Sequence, residues 1–208
     1  MKEPLFYRII RPLVTFLVKL VFRPNYIGLE NIPKSGKIIL AGNHTNNFDS
    51  PLLLSSTKRV IHFLAKEELT KGILGPGFKA MGIIPVNRTI HDKGALNNAI
   101  NTLKEDKVIG IFPEGTINKT KDIIMPFKIG AVKMAQETDT QIVPFTITGK
   151  YKVFKKSITI EFYKPIKIKS DDLTKENERL MNFISKQLKE KRKWYEYFRY
   201  EILESHWT

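Results

Sequence analysis

Cysteine is absent from this chain of 208 residues, and histidine is rare. Without thiols the protein has no disulfide bond, no thiolate ligand for a metal and no cysteine that could carry an acyl group. The four histidines are scattered without the spacing of a metal site, so we expect no bound metal. They are His44, His62, His91 and His206.

Acidic residues are few beside the basic ones: 21 Asp and Glu face 35 Lys and Arg, for a net charge of +14. Such an excess predicts a polyanionic neighbour, which is a nucleic acid, an anionic membrane surface or a phosphorylated substrate. Charge alone does not choose among the three. A hydrophobic share of 42% with 27% charged residues is typical of a globular protein rather than a disordered one.

The chain also lacks a long uninterrupted hydrophobic run. Residues 4–22 come nearest, but Arg8, Arg11 and Lys19 interrupt them and no small-residue cleavage site follows, which argues against a transmembrane span and a signal peptide. On a helix the three cations share a narrow arc, and apolar side chains cover the rest. We therefore divide the chain into an amphipathic membrane-interface segment, residues 1–24, and a globular domain, residues 25–208.

Two interpretations of this N-terminal segment stay open. It is an anchor that lies in the membrane interface, or a helix that packs on the protein's own core. The width of its apolar face favours the anchor. Pro12 is expected to kink the helix or to divide it into a pair of short helices.

Beyond residue 25, short apolar runs alternate with segments of helical spacing. This alternation predicts an α/β fold with a mostly parallel central sheet flanked by helices, preceded by the N-terminal amphipathic helix or helix pair. The predicted strands are residues 38–41, 59–64, 82–86, 108–112, 141–147 and 157–163, and the predicted helices are residues 52–56, 92–105, 125–138 and 175–193.

The loop after the first buried strand contains His44 and Asp49. Ser50 is a natural N-cap with Pro51 at the first helical position, so both residues are predicted to lie in the loop before a helix. A carboxylate bonded to one imidazole nitrogen fixes the tautomer and leaves the other nitrogen free to take a proton. The pattern fits a catalytic pair, and it also fits a surface histidine beside an ordinary Asp helix cap.

Two later strand ends carry polar residues at the edge where α/β proteins collect ligands. Asn87 and Arg88 end one strand, and a guanidinium group suits phosphate, with a solvated arginine as the alternative. A second group follows the strand 108–112, with a plain turn as the alternative. It consists of Glu114, Gly115 and Thr116.

Four blocks of sequence, each assigned to a loop after a strand, stand in order along the chain. Together they resemble the glycerolipid acyltransferase family, and most closely its short bacterial 1-acylglycerol-3-phosphate acyltransferases. The resemblance includes the basic, apolar N-terminus and covers nearly the whole chain. The blocks are residues 43–49, 82–88, 112–116 and 143–145, with residues 28–33 and 126–131 as further matches.

The resemblance implies that residues 25–208 form an acyltransferase domain. Such a domain moves a fatty acyl group from a thioester to the free hydroxyl of lysophosphatidate, which gives phosphatidate for phospholipid synthesis. His44 is then the general base, and Asp49 orients its imidazole. The implied substrate-binding residues are Arg88, Lys66, Asn87 and Lys128 for the acceptor phosphate, Glu114, Gly115 and Thr116 for the glycerol, and Pro144 in a loop on the thioester side.

The implied partners are lysophosphatidate, an acyl thioester donor and an anionic membrane surface, without nucleic acid. The donor is a co-substrate, either acyl-acyl carrier protein or acyl-coenzyme A, and we expect no resident cofactor. Such an enzyme is expected to be peripheral or monotopic on the cytoplasmic face of the cell membrane. The basic helix 175–193 and the aromatic residues after it suit either a headgroup layer or docking on the domain.

One position departs from the family pattern. Ile117 stands where the family commonly has an arginine, so a cation that usually assists phosphate binding is missing. Lys119, Lys121 and Lys128 are the candidate substitutes. An acyltransferase with another acceptor, such as glycerol 3-phosphate, is one alternative, and a basic nucleic-acid-binding protein is another. The second alternative leaves the His44 and Asp49 pair and the apolar N-terminus unexplained.

Overall fold

The computed structural model of this protein describes residues 5–73, 75–87 and 92–204, with side chains described between residues 6 and 193 of those ranges. The helices are α1 (Leu5–Phe22), α2 (Asp49–Leu54), α3 (Gly75–Ala80), α4 (Lys93–Lys104), α5 (Gly130–Glu137) and α6 (Leu173–Glu204). The strands are β1 (Asn25–Ile27), β2 (Ile38–Gly42), β3 (Ile61–Lys66), β4 (Ile84–Val86), β5 (Val108–Ile111), β6 (Ile142–Gly149) and β7 (Ile158–Phe162). Short 3₁₀ turns cover Leu29–Asn31 and Glu67–Thr70.

The seven strands form one sheet in the order β1-β7-β6-β2-β5-β3-β4. Strands β6, β2, β5, β3 and β4 run parallel to one another, whereas β7 is antiparallel to β6 and parallel to β1. The predicted α/β fold with a mostly parallel sheet is confirmed. Because parallel strands point the same way, the loops after β2, β5, β3, β4 and β6 all leave one edge of the sheet.

The unbroken run of apolar residues in β2 follows from its burial on both faces of the sheet. Ile38 and Leu40 face the core shared with α1 and α2, while Ile39 and Ala41 face the core shared with α4, α5 and α6. All four are at most 1% exposed. Successive side chains alternate between the two faces of a strand, so a strand covered on both sides needs apolar residues at every position.

Helix α1 packs on the domain along one side. Tyr7, Val18 and Phe22 are buried in the core, and the Arg11 guanidinium donates to the Thr57 carbonyl at 2.7 Å. The helix continues through Pro12 as one element, so of the two predicted alternatives, a helix or a helix pair, the single helix is confirmed. Proline removes a single backbone hydrogen bond here, and the packing of residues on both sides of it holds the helix together. Among the described residues, no helix has the length and apolarity needed to cross a bilayer.

Two predicted helices begin differently in the structure. Helix α5 starts at Gly130 instead of residue 125, because residues 125–128 are held by backbone contacts to the segment after β5. One of these contacts joins the Lys128 amide to the Pro113 carbonyl at 2.8 Å. The predicted helix at 52–56 corresponds to α2, which starts three residues earlier, at Asp49.

Candidate active site

His44 and Asp49 form a hydrogen-bonded pair at the carboxyl end of β2. The distance from His44 Nδ1 to Asp49 Oδ2 is 2.9 Å. The Asp49 side chain is fully buried, and the His44 side chain is 14% exposed. Among the residues that the structure describes, no hydrogen bond reaches Nε2 of His44. The carboxylate therefore favours the tautomer with its proton on Nδ1, which leaves Nε2 as a proton acceptor that a ligand can reach.

Asp49 is the first residue of α2 and not, as predicted, a residue of the preceding loop. Phe48 occupies the N-cap position without a side-chain hydrogen bond, so the expected capping by Ser50 is wrong. The Asp49 carboxylate instead accepts hydrogen bonds from the backbone amides of Thr45 and Asn46, with N to Oδ2 distances of 2.5 and 2.8 Å. A buried carboxylate needs such donors, and these two close the His44 loop onto the start of α2.

The Asp49 carboxylate also accepts a hydrogen bond from a residue far along the chain. The Tyr151 hydroxyl donates to Asp49 Oδ1 at 2.7 Å, and the Thr45 hydroxyl donates to the same oxygen at 3.1 Å. Burial, together with the nearby Asp49 charge, raises the pKa of Tyr151, so its hydroxyl keeps its proton at neutral pH. Tyr151 lies in the loop after β6, which leaves the same sheet edge as the His44 loop.

The imidazole of His44 lies flat against the ring of Phe112. Their centroids are 4.1 Å apart, and the planes are inclined by 15°. Phe112 follows β5 directly and packs edge-on to Phe145 of β6, at 5.9 Å. This stacking limits rotation of the imidazole and complements the hydrogen bond at Nδ1.

The backbone of His44 is held from both sides by the segment after β5. Its amide donates to Glu114 Oε1 at 2.7 Å, and its carbonyl accepts from the Asn118 amide at 2.8 Å. The second carboxylate oxygen, Glu114 Oε2, accepts from the Met125 amide at 2.8 Å. Glu114 is 3% exposed, and burial raises its pKa against the opposing effect of these two amides. Both oxygens of Glu114 thus bind protein backbone, and its contact with a glycerol group stays a prediction.

Gly115 and Lys128 lie against each other beside this segment. Gly115 has a φ of +73°, and a Cβ at this position would lie 2.7 Å from Cε of Lys128. The left-handed backbone favours glycine at this position, and a larger residue would also displace the flexible end of the lysine side chain. The exposed Lys128 side chain is thereby placed next to the segment that holds His44.

The profile of the Acyltransferase family matches residues 23–148, which is more than half of the chain and includes all the contacts of His44 described above. The chain belongs to the acyltransferase family. Its membership gives the His44 and Asp49 pair a chemical context, acyl transfer, in which a base beside a buried carboxylate has a defined use.

Curated relatives carry a more specific name. The 1-acyl-sn-glycerol-3-phosphate acyltransferase of Borreliella burgdorferi is 37% identical over 134 residues, which cover 63% of this chain and 53% of that protein. The protein of the same name from Bacillus subtilis is 32% identical over 122 residues, with 58% and 60% covered. The matched part of the chain thus spans little more than half the length of these relatives.

A solved structure shares the fold of this acyltransferase-family member. The crystal structure of the 1-acyl-sn-glycerophosphate acyltransferase PlsC from Thermotoga maritima superposes with a TM-score of 0.72 at 22% identity. The match covers 89% of this chain and 81% of the PlsC chain. It shows that the two chains have the same overall architecture.

Two other predicted phosphate ligands, Lys66 and Asn87, lie along the same sheet edge. Lys66 ends β3 and is exposed, and its register partner in β4 is Val86, directly before Asn87. The Asn87 amide donates to Asp92 Oδ2 at 2.8 Å. Arg88 lies outside the described residues. Thr116 is exposed in the segment after β5.

Pro144 is not in a loop. Residues 143–145 lie inside β6, where Pro144 is paired with Ala41 of β2 and its carbonyl accepts from the Tyr163 amide at 2.9 Å. The predicted strand over residues 141–147 is therefore confirmed, and the loop that was assigned to this block on the thioester side is wrong. An apolar run that pairs with the most buried strand stays in the sheet, because burial stabilises it there. Proline also has no backbone N–H that could donate to an oxyanion of the thioester.

The sequence did not reveal Tyr151, Phe112 or Asn118 as parts of the site. Phe112 was visible as the end of a strand and the start of the block 112–116 but was given no role, and Asn118 acts through its backbone amide, which any residue supplies. Tyr151 is more than one hundred positions from Asp49 in the chain. The usable signal for Tyr151 was its place directly after a buried strand, at the edge where ligands collect.

Proposed function

We propose that this protein transfers a fatty acyl group from an acyl thioester to the free hydroxyl of 1-acylglycerol 3-phosphate, with phosphatidate and a free thiol as products. The observation that carries the proposal is the 2.9 Å hydrogen bond between His44 Nδ1 and the buried Asp49 carboxylate, which leaves Nε2 to act as a base. The names of the relatives from Borreliella burgdorferi and Bacillus subtilis support the choice of acceptor.

The proposed reaction needs no acyl-enzyme, because the acceptor hydroxyl is itself the nucleophile. Nε2 of His44 takes the hydroxyl proton as the oxygen attacks the thioester carbon, and Asp49 stabilises the imidazolium that forms. Collapse of the tetrahedral intermediate breaks the carbon–sulfur bond, and the imidazolium returns its proton to the leaving thiolate. General base catalysis of this kind contributes roughly 10²- to 10⁴-fold in rate.

The acceptor phosphate is proposed to lie at the cations of this sheet edge. Lys128 is the described candidate best connected to the catalytic pair, since it lies against Gly115 beside the segment that binds the His44 backbone. Lys66 and Asn87 extend the site towards β4, and exposed Lys119 and Lys121 follow Ile117. These lysines are proposed to supply the positive charge that the family's arginine would provide at the position of Ile117. Arg88 stays a predicted phosphate ligand.

The partner of α1 is proposed to be an anionic bilayer. The side of α1 that faces away from the domain exposes six large apolar side chains, with the exposed Arg8 and Lys19 beside them. An apolar helix face of this extent suits the boundary between headgroups and acyl chains, and the flanking cations suit anionic headgroups. The six are Phe6, Ile9, Leu13, Phe16, Leu17 and Leu20. Because acyl carrier protein and coenzyme A donors are cytoplasmic, we assign the protein to the cytoplasmic face.

The test is synthesis of phosphatidate by the purified protein. Lysophosphatidate in anionic vesicles is mixed with a long-chain acyl thioester of either donor, and phosphatidate is followed by mass spectrometry. We expect product from the native chain and a loss of at least about 10²-fold for His44→Ala, since the base is removed. A parallel reaction with glycerol 3-phosphate tests the other acceptor. A folded protein that gives no phosphatidate with either donor would overturn the proposal.

A further inference from the structure

The loop between β6 and β7, residues 150–157, has an unusual surface. Val153 and Phe154 are each 58% exposed, and exposed lysines stand on both sides of them. None of these lysines forms an ion pair with a residue that the structure describes. The lysines are Lys150, Lys152, Lys155 and Lys156. The loop therefore presents two apolar side chains flanked by lysines that form no ion pair with a described residue.

Phe154 does not stabilise the fold through burial, and its backbone is in a disfavoured conformation. Its φ of +58° lies in the left-handed region, which bulky residues rarely adopt. The conformation is held by a hydrogen bond from the Phe154 amide to the Val21 carbonyl in the last turn of α1, at 2.5 Å. An exposed phenylalanine kept in this state indicates a use for the side chain outside the folded chain itself.

The hydrogen bond to Val21 makes the loop continuous with the outward face of α1. Leu17 precedes Val21 by one helical turn and is 46% exposed. At the same place the Tyr151 ring packs edge-on to Phe22 of α1, with centroids 5.1 Å apart. The exposed apolar surface of α1 and the loop thus adjoin at the C-terminal end of the helix.

We propose that the loop 150–156 is a second contact with an anionic bilayer, in which Val153 and Phe154 insert among the headgroups and the four lysines bind lipid phosphates. The inference rests on the proposed function for the nature of the partner. Alternation of lysines with apolar residues suits a bilayer surface, because the lysine stems lie along apolar material while the ammonium groups reach the phosphates. An acidic carrier protein would use the lysines but not the adjoining apolar face of α1.

The position of the loop also suits an enzyme that acts on lipids. Tyr151, two residues before Val153, donates its hydroxyl proton to Asp49. A bilayer that touches Val153 and Phe154 therefore lies close to the catalytic pair. A lipid acceptor would reach His44 with only a short displacement from the membrane.

The absence of cysteine makes a site-specific test direct. An environment-sensitive fluorophore is attached at Val153→Cys and, as the matched control, at Asn98→Cys, an exposed position of α4 on the other face of the sheet. Vesicles of phosphatidylglycerol and phosphatidylcholine with a quencher on the acyl chains are then added. We expect a blue shift and strong quenching at position 153, and neither at position 98.

A second comparison uses unlabelled variants. Phe154→Ser is expected to lower partitioning to anionic vesicles by about tenfold, whereas Leu29→Ser, which removes an apolar side chain 41% exposed beside β1, leaves it within about twofold. Neither variant should change the thermal unfolding midpoint by much, because both side chains are exposed. Equal partitioning of the two variants would contradict the proposal.

The outcomes separate this inference from the proposed function. A label at position 153 that stays in water while the protein sediments with vesicles overturns the loop contact, and so does a failure of the protein to bind vesicles at all. Binding of the loop to acyl carrier protein instead, detected by the same label, overturns the bilayer as its partner. Phosphatidate synthesis from detergent-dispersed lysophosphatidate reports on the proposed function independently of either result.

Discussion

The loop after β2 and the loop after β6 leave the same edge of the sheet, but they are held in opposite ways. Around His44 the backbone amide, the carbonyl and the imidazole each have a partner from another segment, and the carboxylates involved are buried. The loop 150–156 exposes all its side chains except that of Tyr151, and it is tied to α1 by one backbone hydrogen bond, from Phe154 to Val21, and by the packing of Tyr151 on Phe22. Tyr151 is the residue that joins the two.

The difference fits the two roles proposed for these loops. The proposed proton transfer requires the base to be held within a few tenths of an ångström, which agrees with a loop fixed by buried hydrogen bonds. A contact with a lipid surface requires apolar and basic side chains to be free to adjust. Variants in the two loops should therefore differ in what they damage, and the following predictions test this from the largest expected effect to the smallest.

Asp49→Asn should abolish most of the activity. The amide keeps nearly the same shape but does not neutralise an imidazolium, so we expect kcat to fall by about 10²- to 10⁴-fold. Steady-state kinetics of phosphatidate formation measure the effect. Asp171→Asn, which changes an exposed carboxylate before α6, is the control and should leave kcat unchanged. Full activity of Asp49→Asn would remove the carboxylate from the mechanism.

Glu114→Gln should damage both turnover and stability. The side-chain amide puts a donor against one of the two backbone amides, of His44 or Met125, that the carboxylate now accepts. A buried unsatisfied donor costs about 1–3 kcal/mol, and we expect kcat to fall by about tenfold as His44 shifts. Glu178→Gln on the exposed side of α6 is the matched control. If Glu114→Gln unfolds at the same denaturant concentration as the native chain, the two hydrogen bonds accepted by Glu114 do not contribute to stability.

The raised pKa of Glu114 also predicts that the stability of the fold depends on pH. Burial raises the pKa of Glu114 above its ordinary value of 4.5, so between that value and the raised pKa the folded chain binds more protons than the unfolded chain. The contribution of Glu114 to stability is therefore largest below 4.5 and decreases as pH rises through its folded pKa. Denaturant unfolding across this range should show the native chain losing stability relative to Glu114→Gln. An opposite slope would indicate that the backbone amides outweigh burial.

Tyr151→Phe should have a smaller effect, confined mainly to kcat. It removes one hydrogen bond to Asp49 while keeping the ring against Phe22, and we expect kcat to fall by about three- to tenfold with KM nearly constant. Tyr163→Phe removes a comparable hydroxyl contact, to Thr146, away from the pair, and it should leave kcat unchanged. Equal losses in the two variants would mean that Tyr151 acts only through stability.

Lys155→Gln with Lys156→Gln should show the mildest change. Each lysine near an anionic surface contributes about 1 kcal/mol to binding, screened by salt, so vesicle partitioning should weaken at low salt and converge with the native value at high salt. The matched control, Lys93→Gln with Lys104→Gln on α4, removes the same charge from the other face. Equal weakening by both pairs would assign the effect to net charge and not to the loop.

The sequence predicted well what depends on local order. The alternation of apolar runs with helical segments was enough for the α/β sheet, and the position of His44 and Asp49 between a strand and a helix was enough to pair them. Predictions failed where a distant segment decided the outcome. Ser50 does not cap α2, and the block 143–145 that was assigned to a loop is part of β6.

Those failures share a physical cause. Capping rules describe a helix in isolation, whereas the start of α2 is set by the Asp49 carboxylate, which accepts from the amides of Thr45 and Asn46. Residues 143–145 are kept in β6 by their pairing with β2. Packing of this kind is worth more than a local preference of about 1 kcal/mol.

By itself, the sequence determined the sheet, the pairing of His44 with Asp49 and the basic, amphipathic character of the N-terminal helix, because these follow from periodicity and from residues a few positions apart. Only the tertiary structure decided that Tyr151 binds Asp49, that Glu114 holds His44 in place, and that the apolar face of α1 continues into the loop 150–156. These contacts join segments far apart in the chain, and the parallel strand order that brings them to one edge is set by burial of the sheet on both faces.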